Sequence, residues 1–236
     1  MNRITKVMTL MNFQDSYALS TRNQLFLQEL NWLSTKVGLP GNALLIPYAY
    51  AGTNYPAFYT QVVNAFAQTN ISITDINSGN PQTLLNAANM IVICGGSYSS
   101  LKAKMDQIVS GGFNIYAAIK ARLDSCVPCI CWNEGSGSVS PYLFTPPSLP
   151  AGVGINASPN QLISNYTNNQ TNRNAIKTFL LANPGMAEAI AQVNAAGGDG
   201  TSVRLEESGA GILYAGTAPY PTIIHYKIVG GNLVES

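Results

Sequence analysis

The fold of this 236-residue chain is decided by one stretch, Cys131–Ser136, which has the sequence CWNEGS. The apolar run Val127 to Cys131 leads into it, and a glycine and further small residues follow. This order is typical of a nucleophile elbow, in which a strand, a tight turn and a helix raise one side chain above the end of a parallel sheet. Hydrolases place Ser or Cys at the apex of that turn, whereas the apex here is Asn133. A carboxamide has no proton whose removal gives a useful nucleophile, so the stretch predicts the fold more clearly than the function.

Strands and helices alternate through the first half of the sequence. Apolar runs predict strands at Ile4–Met11, Ala43–Tyr48, Ile71–Ile76, Met90–Cys94 and Val127–Cys131. Helical spacing and Pro at a first helical position predict helices at Thr21–Lys36, Tyr55–Gln68, Pro81–Ala88, Ser99–Ile108 and Phe113–Asp124. This alternation implies right-handed βαβ units, so we expect an α/β fold with a doubly wound, mostly parallel sheet and helices on both faces.

The second half of the sequence is less regular. Pro141–Pro150 contains four prolines and is predicted to be a loop, and the polar segment Ser158–Asn174 is predicted to be a long loop or a cover over the sheet end. Two short helices are expected at Asn174–Leu181 and Met186–Asn194. A C-terminal antiparallel extension is expected from strands at Ser202–Glu206, Gly211–Ala215 and Thr222–Val229. Because no repeat and no linker interrupts the chain, residues 1–236 are predicted to form a single domain.

The charged fraction of the chain is unusually low. Asp, Glu, Lys and Arg make up 10% of the residues, against roughly 25% in an average soluble domain. The chain has 24 Asn residues, and its net charge is +1. Long-range repulsion between copies is therefore weak, which favours a surface that meets itself or a partner, although an ordinary neutral soluble protein stays open as an alternative.

The same composition argues against two classes of partner. Lys and Arg are scattered singly, so no basic patch is available to bind nucleic acid. Apolar runs are strand-sized, far below the roughly 20 residues of a membrane-spanning helix. The first ten residues are too short and too polar for a secretory signal, so a cytoplasmic location is expected by default.

Three cysteines form a C-x-x-C-x-C run at Cys126, Cys129 and Cys131. Closely spaced thiolates are what a zinc ion or an iron cluster binds. Alternatively, Cys129 and Cys131 share one face of a buried strand and pack as small apolar residues. The extended pattern, Pro128 and the lack of a neighbouring His favour packing, so we expect no metal and no cofactor.

Four segments together resemble the peptidase S51 family, which includes peptidase E and cyanophycinase within the class I glutamine amidotransferase-like fold. The segments are ALLIPYA at Ala43–Ala49, IVICGGS at Ile91–Ser97, WNEGS at Trp132–Ser136 and DGTSV at Asp199–Val203. The elbow tryptophan and the order of the segments carry the resemblance, which spans most of the chain.

The resemblance implies a serine hydrolase with a Ser nucleophile, a His base and an oxyanion hole made of backbone N–H groups. In this sequence the nucleophile position is Asn133, and the oxyanion donors would be the N–H groups of Glu134 and Gly96. The base would fall between residues 155 and 163, where no His occurs and the polar candidates are Asn160 and Gln161. We therefore expect no catalytic residues.

The third group of the implied triad, a carboxylate, is also absent. The loop at residues 142–151 has no Asp or Glu, and the single histidine, His225, lies in a terminal strand, out of the family's chain order. A lone His in a strand is more often structural than catalytic.

A remnant of the binding site is still expected where the strand ends meet. Ligands of parallel sheets bind at the carboxyl ends of the strands. The residues placed there are Gly95, Gly96, Ser97, Asn133, Glu134 and Gly135. The Glu134 carboxylate either caps the helix that follows, which we favour, or points into the former pocket and binds a cation or an amine.

Three functions follow from different classes. The first is a catalytically inactive peptidase E-like protein that self-associates as a structural or assembly protein, motivated by the missing triad and the low-charge surface. The second is a ligand-binding pseudoenzyme that keeps a pocket for a peptide or amino acid. The third is a serine-type, aspartyl dipeptidase-like hydrolase with rearranged catalytic residues.

Overall fold

The computed structural model describes residues 4–12, 23–37, 41–69, 71–193, 201–217 and 222–236. Its strands are β1 Ile4–Asn12, β2 Asn42–Ile46, β3 Ser72–Asp75, β4 Met90–Ile93, β5 Cys129–Trp132, β6 Gln161–Tyr166, β7 Ala189–Val193, β8 Thr201–Ser208, β9 Gly211–Thr217, β10 Thr222–Val229 and β11 Asn232–Glu235. Its helices are α1 Asn23–Val37, α2 Tyr55–Phe66, α3 Pro81–Ala87, α4 Tyr98–Ser110, α5 Ile115–Asp124, α6 Glu134–Ser138 and α7 Gln170–Ala182.

Seven strands form the main sheet, in the order β3-β2-β4-β5-β1-β8-β9. The strands from β3 to β1 in that order run parallel, and β8 and β9 are antiparallel. Helices flank this sheet. The predicted α/β class with a mostly parallel sheet is thus confirmed, and all five strands predicted in the first half are present.

Continuous apolar runs place β2, β4 and β5 in the middle of the core. Every residue of β4 and β5 is buried, as are the last four residues of β2. Strands covered by helices on both faces need apolar side chains on both faces, which is why these runs do not alternate. The carboxyl ends of all three strands therefore lie side by side at one edge of the sheet.

A second sheet, in the order β11-β10-β7-β6, corrects two of the predictions, the helix at Met186–Asn194 and the loop at Ser158–Asn174. The segment Met186–Asn194 was predicted to be a helix, but it contains strand β7. Two alanines in its sequence AIAQV favour a helix locally, and pairing with β10 and β6 overrides that preference. Strand β11 has no counterpart among the predictions.

The predicted loop Ser158–Asn174 is also wrong in part, because it contains strand β6 and the start of α7. The helix predicted from Asn174 begins at Gln170, where the side chain of Asn169 accepts a hydrogen bond from the Asn172 amide at 2.9 Å. An Asn cap followed by a polar first turn looks like a loop in sequence, since Asn favours both.

A buried ion pair between Glu29 of α1 and Arg204 of β8 connects α1 to the antiparallel part of the main sheet. Arg204 donates two hydrogen bonds to the Glu29 carboxylate, at 3.0 and 3.2 Å, and Thr9 donates a third at 3.3 Å. Glu29 is fully buried, and the guanidinium lies 4.6 Å from the centre of the Trp32 ring.

No helix of the described ranges is long and apolar enough to cross a membrane.

Replacing Arg204 by Met removes this cation from a buried carboxylate, so Arg204→Met is expected to lower the free energy of unfolding by about 3–5 kcal/mol. Arg173→Met is the matched control, because the Arg173–Glu235 pair is exposed and is expected to contribute about 0–1 kcal/mol. Urea unfolding followed by circular dichroism measures both variants. Equal losses would contradict the account of the buried pair.

Candidate functional site

The elbow predicted from CWNEGS is present at the end of β5. Asn133 follows the strand with φ +50° and ψ −122°, a conformation that non-glycine residues rarely adopt. Two hydrogen bonds to its backbone hold it there. The Asn133 N–H donates to Met11 O at 2.8 Å, and the Asn133 carbonyl accepts from the Ser164 hydroxyl at 2.8 Å. The side chain at the apex is buried, with 6% of the residue exposed.

Two glycines allow the elbow to approach β4 closely. A Cβ on Gly135 would lie 2.4 Å from the carbonyl oxygen of Ile93 and 2.7 Å from that of Cys94. A Cβ on Gly95 would lie 2.5 Å from Cβ of Asn133. Only glycine fits at both places, which brings the loop after β4 against the turn after β5.

The Glu134 carboxylate occupies the donor that an oxyanion hole would use. Its Oε2 accepts a hydrogen bond from the Gly96 N–H at 2.6 Å. Gly96 has φ +143°, a conformation that favours glycine and orients this N–H towards the elbow. The Glu134 side chain thus contacts the loop that follows β4.

The groups around Glu134 are held in their neutral forms. Burial raises the pKa of the Cys94 thiol well above its ordinary value, and the nearby Glu134 carboxylate raises it further. Burial, and then the same carboxylate, raise the pKa of Tyr98. Because only a thiolate is a good nucleophile, the raised pKa makes Cys94 a poor nucleophile at neutral pH.

The hydroxyl of Ser97 is used to start α4. It accepts a hydrogen bond from the Ser100 N–H at 3.3 Å and lies 2.8 Å from the Ser99 hydroxyl. The backbone N–H of Ser97 donates to Ala49 O at 2.7 Å, which ties the loop after β4 to the loop after β2. The six residues expected at the strand ends therefore meet there, with Ser97 serving as a helix cap.

The two candidates from the base region have partners elsewhere. The Asn160 amide donates to Glu188 at 3.2 Å and to the Tyr214 hydroxyl at 3.1 Å. The Gln161 amide donates to the carbonyls of Tyr142 and Leu162, at 2.9 and 3.2 Å. Ser164 of β6 contacts the elbow instead. Ser164 could not be recognised from the sequence, because the segment that contains it was predicted to be a loop.

His225 belongs to a polar cluster of the second sheet. Its Nδ1 lies 3.2 Å from Glu188 Oε2, and Lys227 Nζ lies 3.3 Å from the same oxygen. The Tyr214 ring packs edge-on to the imidazole at 6.0 Å. In these contacts His225 is a partner of the Glu188 carboxylate.

Cys129 and Cys131 lie fully buried on one strand, as the packing interpretation predicts. A hydrogen bond to Cys131, together with burial, raises the pKa of Cys129, and the Cys131 thiol donates to Thr9 O at 3.5 Å. Across the residues that the structure describes, His, Cys, Asp and Glu do not assemble into a group of three or more that could hold a metal ion.

Comparison with solved structures shows the fold that the elbow suggests. A peptidase from an acI-B1 Actinobacterium superposes with a TM-score of 0.61 at 14% sequence identity, covering 99% of this chain and 95% of that one. This chain has a peptidase E-like fold. A protein assigned as peptidase E from Listeria monocytogenes EGD-e gives a TM-score of 0.54 at 12% identity, covering 90% of this chain and 100% of that one. No protein-family model and no curated protein matches the sequence.

Because the backbone approaches so closely at the elbow, adding a methyl group at Gly135 is expected to lower the free energy of unfolding substantially. Gly135→Ala places Cβ against two backbone carbonyls that cannot rotate away, so we expect a loss of about 1–3 kcal/mol or more in unfolding free energy. Gly185→Ala is the control, since nothing lies within 4 Å of its Cβ position, and its effect should stay below about 1 kcal/mol. Thermal and urea unfolding measure the difference, and a tolerated Gly135→Ala would refute the tight turn.

Proposed function

We propose that this chain is a catalytically inactive protein of the peptidase S51 type that acts by self-association, as a structural or assembly protein. The observation that carries the inactivity is the contact between the Glu134 carboxylate and the Gly96 N–H, next to an asparagine at the nucleophile position. The scaffold of a hydrolase is retained while its two chemical functions, attack and oxyanion binding, are absent.

Electrostatics supports this part of the proposal. In acyl transfer, the oxyanion of the tetrahedral intermediate is bound by N–H donors about 2.7–3.1 Å away. The Gly96 N–H already donates to a carboxylate at 2.6 Å. A second negative charge at that place would be repelled, and losing one oxyanion donor alone slows catalysis by about 100- to 1000-fold. Asn133 offers no attacking hydroxyl that could compensate for this loss.

The surface supports the self-association. The chain carries a net charge of +1 with only 10% charged residues. Several large apolar side chains are exposed, among them Leu149 at 87% and Leu213 at 61%. Weak repulsion between copies, together with exposed apolar groups, favours contacts between identical molecules.

Two measurements on the purified chain test this proposal together. Light scattering over a range of concentrations is expected to give a mass above the 25.1 kDa of one chain, rising with concentration. An assay with aspartyl dipeptides is expected to give no more hydrolysis than an Asn133→Ala variant. A monomer at every concentration would contradict self-association, and brisk hydrolysis that Asn133→Ala abolishes would contradict inactivity.

One observation favours a second function, binding of a peptide or an amino acid through its amino group. Glu134 is half-buried at the strand ends, and one of its oxygens is fixed by Gly96. A carboxylate held in this way is a suitable partner for a ligand ammonium group.

Thermal-shift measurements test this second function. An aspartyl dipeptide is expected to raise the unfolding temperature of the wild type, whereas its N-acetylated form and the Glu134→Gln variant should give no shift. Equal shifts with both peptides, or no shift with either, would rule out amine recognition by Glu134.

A further inference from the structure

Strand β9 forms an open edge of the main sheet. It pairs with β8 along its whole length, from Ser202 with Thr217 to Ser208 with Gly211, without a bulge. Within the described ranges no strand pairs with its other side. With seven residues it is longer than β3 at the opposite edge, which has four and ends in Asp75.

The sequence of β9 lacks the features that protect edge strands from pairing. Proteins block such edges with charged side chains, proline or bulges. The sequence GILYAGT contains no charged residue and no proline, and the ladder to β8 contains no bulge. Leu213 is 61% exposed, and Ala215 and Gly216 are exposed as well, whereas Ile212 and Tyr214 pack against the core.

The hairpin determines which backbone groups of β9 face outward. Residues 209–210 form a two-residue turn, so Ser208 and Gly211 make the hydrogen-bonded pair that closes it. Hydrogen-bonded and non-hydrogen-bonded pairs alternate along an antiparallel ladder. The N–H and C=O groups of Ile212, Tyr214 and Gly216 therefore point away from β8.

We propose that β9 pairs antiparallel with β9 of a second copy, about a two-fold axis at Tyr214, which joins the two main sheets into one. This inference rests on the proposed self-association and names its surface. About this axis, Ile212 of each copy lies opposite Gly216 of the other, so all the outward groups find partners. Leu213 then packs against Ala215 of the second copy, as a non-hydrogen-bonded pair with close side chains.

A second copy fits this edge better than a charged partner does. Identical strands related by a two-fold axis present the same outward groups to each other in one register. Because β9 carries no charge, the two strands bring no like charges together. The neighbouring strand β8 carries both signs, with Arg204 beside Glu206 and Glu207, and the net charge of the chain is only +1.

Substitution at Gly216 tests the edge directly. Gly216→Pro removes one outward N–H and leaves the ladder to β8 intact, because proline is tolerated where its missing donor would face solvent. Gly216→Ala keeps the N–H and is the matched control. By light scattering and sedimentation, Gly216→Pro is expected to raise the dissociation constant at least tenfold, whereas Gly216→Ala leaves it unchanged. Circular dichroism and the unfolding temperature check that both variants fold.

Cysteine cross-linking tests the register. In a Cys126→Ser background, which removes the partly exposed native thiol, Leu213→Cys and Ala215→Cys chains are mixed and oxidised. A disulfide-linked dimer is expected in the mixture and not in either variant alone.

Three outcomes are distinguishable. Tenfold weakening by Gly216→Pro together with the mixed cross-link supports the proposed pairing. If the wild type and the Gly216→Pro variant associate equally well and no mixed cross-link forms, the pairing is overturned but self-association stands. A wild type that is monomeric at every concentration overturns both.

Discussion

The tight turn at Asn133 is the constraint on which the rest of the site depends. Its positive φ ends β5 and starts α6 within one residue, and Gly135 then passes within van der Waals distance of the β4 carbonyls. A side chain at Gly135 or Gly95 would separate the two strand ends. Because neither has one, the loop after β4 and the turn after β5 come together, and the Gly96 N–H reaches Glu134.

That contact is the basis of the inactivity that we propose. A backbone donor that could stabilise a developing negative charge donates instead to the Glu134 carboxylate of the chain itself. Burial, together with the same carboxylate, raises the pKa values of Cys94 and Tyr98 and keeps them un-ionised. The result is a preorganised strand end with the carboxamide of Asn133 at its apex. We propose that this site is inactive and that the chain acts instead through the uncharged β9 edge.

The first half of the fold could be predicted because its strands are continuous apolar runs between clear helical patterns. Strand β7 could not, since its alanines favour a helix and only pairing with β6 and β10 makes it a strand. The elbow at Asn133 was identifiable from CWNEGS alone. The contact between Glu134 and Gly96 was not, because it joins residues 38 apart whose approach depends on the packing of β4 against β5. Ser164 was missed for the same reason: its role arises from tertiary contact and leaves no local pattern.

The most direct test of the central claim is the backbone amide of Gly96, observed by NMR in chains with ¹⁵N-labelled glycine. A short bond to a carboxylate should move this amide proton strongly downfield and slow its exchange with water. We expect both features in the wild type and their loss in Glu134→Ala, while the amide of Gly185 stays unchanged in both proteins. A Gly96 amide with the same shift and exchange rate in the two proteins would contradict the account.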